Sequence, residues 1–192
     1  MAFRARLAII PIGAALLGTP LCAQSQLAGT GGSGLHMMNT DLAVLEAQDV
    51  RKDLPCSVTP SKPLLGFDLR FHAGYEVNVP LKELSGSENK LTILFRVTSD
   101  GHKEDPVFFV QHVRVPSIDD EAKGDATLGG TFDLGEGNYH VDWLMRDRAE
   151  RVCSFYWDSE AALPGKDRQI HVGKKRATIA SFTASARRSW HF

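Results

Sequence analysis

The stretch GEGNYHVDWLMRDRAERVC, residues 135–153, decides the fold. Tyr139, Val141, Trp143 and Met145 are apolar and fall at every second position, with His140, Asp142 and Arg146 between them. A side-chain period of two belongs to a strand with one face in a core. Residues 138–146 therefore predict a strand, and RVCSFYW at 151–157 its hairpin partner. Register follows, because a slip of one residue turns every side chain to the other face. With Arg146 opposite Arg151, like charges meet and Trp143 faces Ser154. With Asp147 opposite Arg151, Met145 meets Cys153, Trp143 meets Phe155 and Val141 meets Trp157. Cross-strand pairs of the latter kind contribute roughly 0.2 to 1 kcal/mol each, which selects the second register. His140, Asp142 and Arg146 are then outward alternates facing water.

The same period runs back along the chain. In LLGFDLRF, Leu65, Phe67, Leu69 and Phe71 share one face and Asp68 and Arg70 the other; YEVNVPL sets Tyr75, Val77, Val79 and Leu81 against Glu76 and Asn78. KLTILFRVT points Leu91, Ile93, Phe95 and Val97 inward and Thr92 and Arg96 outward. PVFFVQHVRV is ambiguous: Val113 and Val115 oppose His112 and Arg114, yet Phe108 and Val110 then also point out, as at a bulge or a change of sheet. TLGGTFDL adds a strand weakened by two glycines. About seven short strands separated by turn-rich segments, with no long helical pattern among them, predict an all-β antiparallel sandwich.

In LGEGNYHV, Tyr139 follows a glycine-rich corner and Val141 stands two places on. This resembles the tyrosine corner of immunoglobulin-like domains. The resemblance covers residues 64–158 and implies architecture, not function. Val141 stands where an immunoglobulin domain has its cysteine, and Trp143 is on the wrong strand to be its core tryptophan. In such a sandwich the first strand's edge runs beside the last strand, which would bring Cys56 to Cys153. LGFDLRFHAGYEVNVPLKEL and YHVDWLMRDRAERVC are also similar to the front portion of longer secreted bacterial proteins of uncharacterised function.

The chain opens MAFRARLAIIPIGAALLGTPLCAQ: Arg4 and Arg6 precede an apolar run from Leu7 to Leu17, and Leu21-Cys22-Ala23 ends in a small residue. These are the parts of an export signal, so residues 1–23 are expected to be cleaved and the mature protein to be periplasmic or extracellular. Cys22 as a lipidated first residue is disfavoured by Leu21, which stands where that pattern wants a small residue. Cleavage leaves Cys56 and Cys153 in a compartment that permits disulfides; a bridge between them is the simplest account, and two separately buried thiols the alternative. Residues 24–62 read as a linker with one short helix in NTDLAVLEAQDV, capped by Thr40, and an extended, proline-punctuated lead-in through Pro55, Pro60 and Pro63. The sandwich is assigned to 63–163.

The net charge of −1 hides an asymmetry, since residues 164–192 carry seven Lys or Arg against Asp167 alone. This basic tail reads as disordered. Lys174, Lys175, Arg176, Arg187, Arg188 and Trp190, with Arg146 on the sheet, are the positions through which another protein or an anionic envelope component would be held. No specific nucleic acid is implied.

Other chemistry finds little purchase. The histidines (His36, His72, His102, His112, His140, His171, His191) are scattered singly, so no metal or other cofactor is expected. Asp119, Asp120, Glu121 and Asp125 lack calcium-loop spacing. His140 and Asp142 form the histidine and carboxylate pair of nucleophilic catalysis, but without a glycine-serine-glycine elbow. The resulting reading is an exported, non-enzymatic β-sandwich module for recognition or assembly in the cell envelope or outside the cell. The alternative is a small hydrolase or glycan-acting enzyme using His140 and Asp142.

Overall fold

Strands β7 (Gly137–Arg146) and β8 (Val152–Ala161) pair in the expected register, with Val141 opposite Trp157, Trp143 opposite Phe155 and Met145 opposite Cys153. The computed structural model describes residues 25–27, 37–163 and 182–185. Ahead of this hairpin come β1 (Ser25–Leu27), helix α1 (Asn39–Ala47), β2 (Ser57–Leu65), β3 (Phe71–Pro80), β4 (Asn89–Ser99), β5 (His102–Val115) and β6 (Asp125–Leu134); β9 (Phe182–Ser185) follows it. One antiparallel sheet has the order β2-β3-β6-β9 and the other β1-β5-β4-β7-β8. The seven long strands thus form a two-layer, all-β sandwich, three in one sheet and four in the other. The chain changes sheet between β3 and β4, between β5 and β6, and between β6 and β7, which is an immunoglobulin-like arrangement.

The alternation read from the sequence fills the space between the sheets. Phe71, Tyr75, Val77 and Val79 of β3 and Phe132 and Leu134 of β6 face Leu91, Ile93, Phe95 and Val97 of β4 and Tyr139, Val141, Trp143 and Met145 of β7, all buried in one cluster. Tyr75 bridges the layers edge-on to Trp143 at 5.3 Å and to Phe95 at 5.7 Å, and Phe95 stacks on Phe109 at 4.6 Å. Edge-to-face and offset-stacked rings are the favoured aromatic geometries. At the corner between the sheets the Tyr139 hydroxyl donates to the Gly135 carbonyl at 3.1 Å, the tyrosine corner in full. Cys56, just ahead of β2, is disulfide-bonded to Cys153 of β8, which ties one sheet to the other.

Four expectations need correcting. Residues 57–65 are not a lead-in but the strand β2, antiparallel to β3 with a bulge between Ser61 and Leu64. Proline is tolerated there because β2 is an edge strand, where a missing N–H breaks no ladder. Residues 64–71 are not one strand but the end of β2, a turn, and the start of β3, so Phe67 and Leu69 leave the core and stand exposed. Strand β5 runs unbroken through PVFFVQHVRV. Both its faces are apolar because both are covered: Phe109 and Val115 enter the main core, while Phe108 and Val110 pack with Leu94, Leu144, Val152 and Leu45 in a second cluster under α1. Finally, part of the tail is ordered, since β9 pairs with 129–132 of β6. The export signal and Lys174, Lys175, Arg176, Arg187, Arg188 and Trp190 lie outside the described residues.

Candidate functional site

The outward face of β4, β7 and β8 is roofed by α1, and this decides the fate of His140, Asp142 and Arg146. None of the three is a freely solvated alternate. Asp142 is 1% exposed and accepts from Arg96 Nε at 2.7 Å. Arg96 also donates to the Leu45 carbonyl at 3.3 Å, in the last turn of the helix, where the Gln48 backbone amide donates as well. Arg146 Nε lies 3.0 Å from Asp41 Oδ1 in the first turn of α1. Burial pushes the Asp41 carboxyl up, more than the Arg146 guanidinium pulls it down. Tyr156 and Ser154 of β8 donate to the carbonyls of Val44 and Asp49.

Helix α1 starts at Asn39, with Met38 rather than Thr40 at the cap position, and ends at Gln48, a left-handed residue with φ of 51°. That turn aims the Gln48 amide back onto the sheet, where it donates to His140 Nε2 at 2.9 Å. The other ring nitrogen, Nδ1, faces Asp158 Oδ1 at 2.6 Å. Asp142 Oδ1 lies 3.3 Å from His140 Nε2. The pair singled out for catalysis is therefore brought together, and its described partners are Asp158 of β8 and two groups, Arg96 and Gln48, that fasten the helix. A neighbouring recess of about 60 Å³ between Asp41, Arg146, Thr92 and His112 has room for a few water molecules.

A second constellation was not legible in the sequence. It sits on the turn between β2 and β3, where the Gly66 amide donates to the Arg70 carbonyl at 2.8 Å and the Leu69 amide to the Gly66 carbonyl at 3.1 Å. Leu69 adopts φ of 59°, a left-handed conformation that L side chains enter at a cost of roughly 1 to 2 kcal/mol. A side chain at residue 66 would press on the His72 ring and the Asp68 carboxylate and displace them from their present places. On the outer side of β3, His72 lies between two carboxylates. Its Nδ1 is 2.7 Å from Asp133 Oδ1, across the β3–β6 ladder, and its Nε2 is 3.1 Å from Asp68 Oδ1, across the turn. Asp133 is buried, and its second oxygen faces Arg70 Nη1 at 3.5 Å. Strand register made the cluster, since His72 stands directly opposite Asp133. No short-range spacing announces that pairing.

Partial burial alone would depress the His72 pKa, but the hydrogen bond and charge of Asp133, joined by those of Asp68, hold it above the ordinary 6.5. A raised folded-state pKa gives stability that is complete below the unfolded value and is lost as pH rises through the folded one. The expected result is that the melting temperature of the parent exceeds that of His72→Gln most at about pH 5.5, with the gap narrowing toward about pH 8.5. A constant gap across that range would remove the imidazolium from the account.

Three of the exposed large apolar side chains, Leu64, Phe67 and Leu69, stand on this one corner, with Phe67 fully exposed. The fold and its corners define an antiparallel immunoglobulin-like β-sandwich with a helix on one face. No family model and no curated protein matches the chain. Among solved structures, the chain is similar to the X-ray structure of Northeast Structural Genomics Consortium target SoR45, at 15% identity and a TM-score of 0.32, over 61% of this chain and 92% of that one.

Proposed function

We propose that the protein is an exported, non-enzymatic recognition module that holds a protein partner by the β2–β3 turn. One observation carries the reading: Leu64, Phe67 and Leu69 are displayed together on a corner braced by Asp68, His72 and Asp133. Burying a side chain of this kind contributes roughly 1.5 to 3 kcal/mol, so a partner with an apolar pocket gains several kcal/mol from the three. A braced corner also loses little entropy on binding. Strain at a non-glycine left-handed residue concentrates at functional sites, and Leu69 carries it here. Export follows from the segment that opens with Arg4 and Arg6, ahead of the apolar run from Leu7 to Leu17. The basic residues from Lys174 to Arg188 add a charge-based hold on an anionic envelope component.

A photocrosslinking side chain placed at position 67 in the producing cells is expected to yield a discrete protein adduct. The same group at position 76, an exposed site on β3, is not. Leu64→Asp together with Leu69→Asp should abolish the adduct. Equal labelling from both positions, or none from position 67, contradicts the reading.

A further inference from the structure

We propose that Asp68 and His72 bind a divalent first-row transition cation of the zinc, nickel or copper kind, with Asp133 as the orienting carboxylate behind the imidazole. The site is independent of the partner reading and stands on its own geometry. Cation–nitrogen and cation–oxygen bonds of about 2.0 to 2.2 Å set two donors about 2.9 Å apart at a right angle and about 3.4 Å apart at a tetrahedral one. His72 Nε2 and Asp68 Oδ1 stand 3.1 Å apart, within that bite. The adjustment that ligation needs falls on the Asp68 carboxylate, whose side chain is 47% exposed, and not on the backbone.

The rest of the ring is already arranged as a metal-binding histidine requires. Such a histidine gives its other N–H to a carboxylate, which fixes the tautomer and raises the basicity of the ligating nitrogen. His72 Nδ1 meets Asp133 Oδ1 at 2.7 Å, and the Asp133 side chain is only 6% exposed. Arg70, on the second oxygen of Asp133, leaves Oδ1 to the ring. Loading exchanges the Nε2 proton for the cation, and that proton leaves to solvent. Asp68, His72 and Asp133 form the one group of three metal-ligating side chains with donor atoms within 4.8 Å of each other among the described residues. A second signature is the glycine at 66: any side chain there would intrude on both donor atoms, His72 Nε2 and Asp68 Oδ1. One imidazole and one carboxylate favour zinc, nickel or copper over magnesium or calcium, which prefer all-oxygen shells. Solvent, or a donor from a bound partner, completes the coordination.

The test titrates the full chain with zinc chloride by calorimetry and follows amide resonances on adding substoichiometric copper(II). A single saturable zinc site is expected, with no heat from magnesium or calcium, and copper should broaden the amides of residues 66–73 and 132–134 first. His72→Gln and Asp68→Asn should each abolish the zinc heat. Asp133→Asn, which keeps both direct ligands, should weaken it by about 10- to 100-fold. Near-ultraviolet dichroism checks that each variant keeps its tertiary packing. If His72→Gln loosens the turn, the near-isosteric Asp68→Asn decides. The proposal is overturned if zinc heat survives either ligand substitution, if broadening centres on another histidine such as His102 or His140, or if no saturable binding occurs at millimolar zinc.

Discussion

Replacing both Cys56 and Cys153 by alanine is expected to destabilise the sandwich by about 4 kcal/mol. The bridge spans 97 residues of sequence and encloses every strand from β2 to β7, so cutting it returns nearly the whole domain's loop-closure entropy to the unfolded chain. A domain of this size has about 5 to 15 kcal/mol in total, so the loss is a large share of its stability. Chemical denaturation of the variant, and of the parent under reducing conditions, should give coincident midpoints, both well below that of the oxidised parent. An unfolding free energy within about 1 kcal/mol of the oxidised parent would show that the native packing, not the covalent tie, holds the two sheets together.

Asp142→Ala is the second large effect, with an expected loss of about 3 kcal/mol. The carboxylate is 1% exposed and neutralises Arg96, which would be left without its ion-pair partner beneath α1. The figure sits at the low end for a broken buried pair because Arg96 keeps 20% exposure and the Leu45 carbonyl. Removing both charges together, as Arg96→Met with Asp142→Leu, should recover much of the loss, because an apolar pair of similar volume often replaces a buried ion pair at little cost. A denaturant series over the parent, Arg96→Met, Asp142→Leu and the double variant gives the coupling. Additive losses would mean that the two side chains do not act as a pair. Amide exchange should report early opening of α1 in Asp142→Ala, whose polar anchors include Arg96 and Gln48.

What the sequence made legible was the part of the fold that repeats. Alternation from Tyr75 to Leu81, from Leu91 to Val97 and from Tyr139 to Met145 was readable because each residue's fate depends on its neighbours two places away. The β7–β8 register followed from placing charges and rings opposite one another. What failed depended on distant contacts. Phe108 and Val110 look misplaced until α1, more than sixty residues earlier, is laid on them. Asp142 reads as solvated for the same reason. The period of two continued through Phe67 and Leu69 although the chain was turning there, and the signal that marks the turn is Gly66, where a side chain would press on His72 and Asp68. The Asp68, His72 and Asp133 cluster needed the β3–β6 register, which no local pattern supplies.

Among the described residues, the borders of the two sheets are short, interrupted or partly covered. Pro60 and Pro63 deprive the β2 margin of amide protons, and 51–54 lies along β8 with Lys52 opposite Cys153. The short β1 sits against the middle of β5, whose outer end carries Lys103, Glu104 and Pro106, and β9 takes the flank of β6. Edges shortened and interrupted in this way offer little continuous backbone ladder to a second chain, which opposes growth by edge pairing.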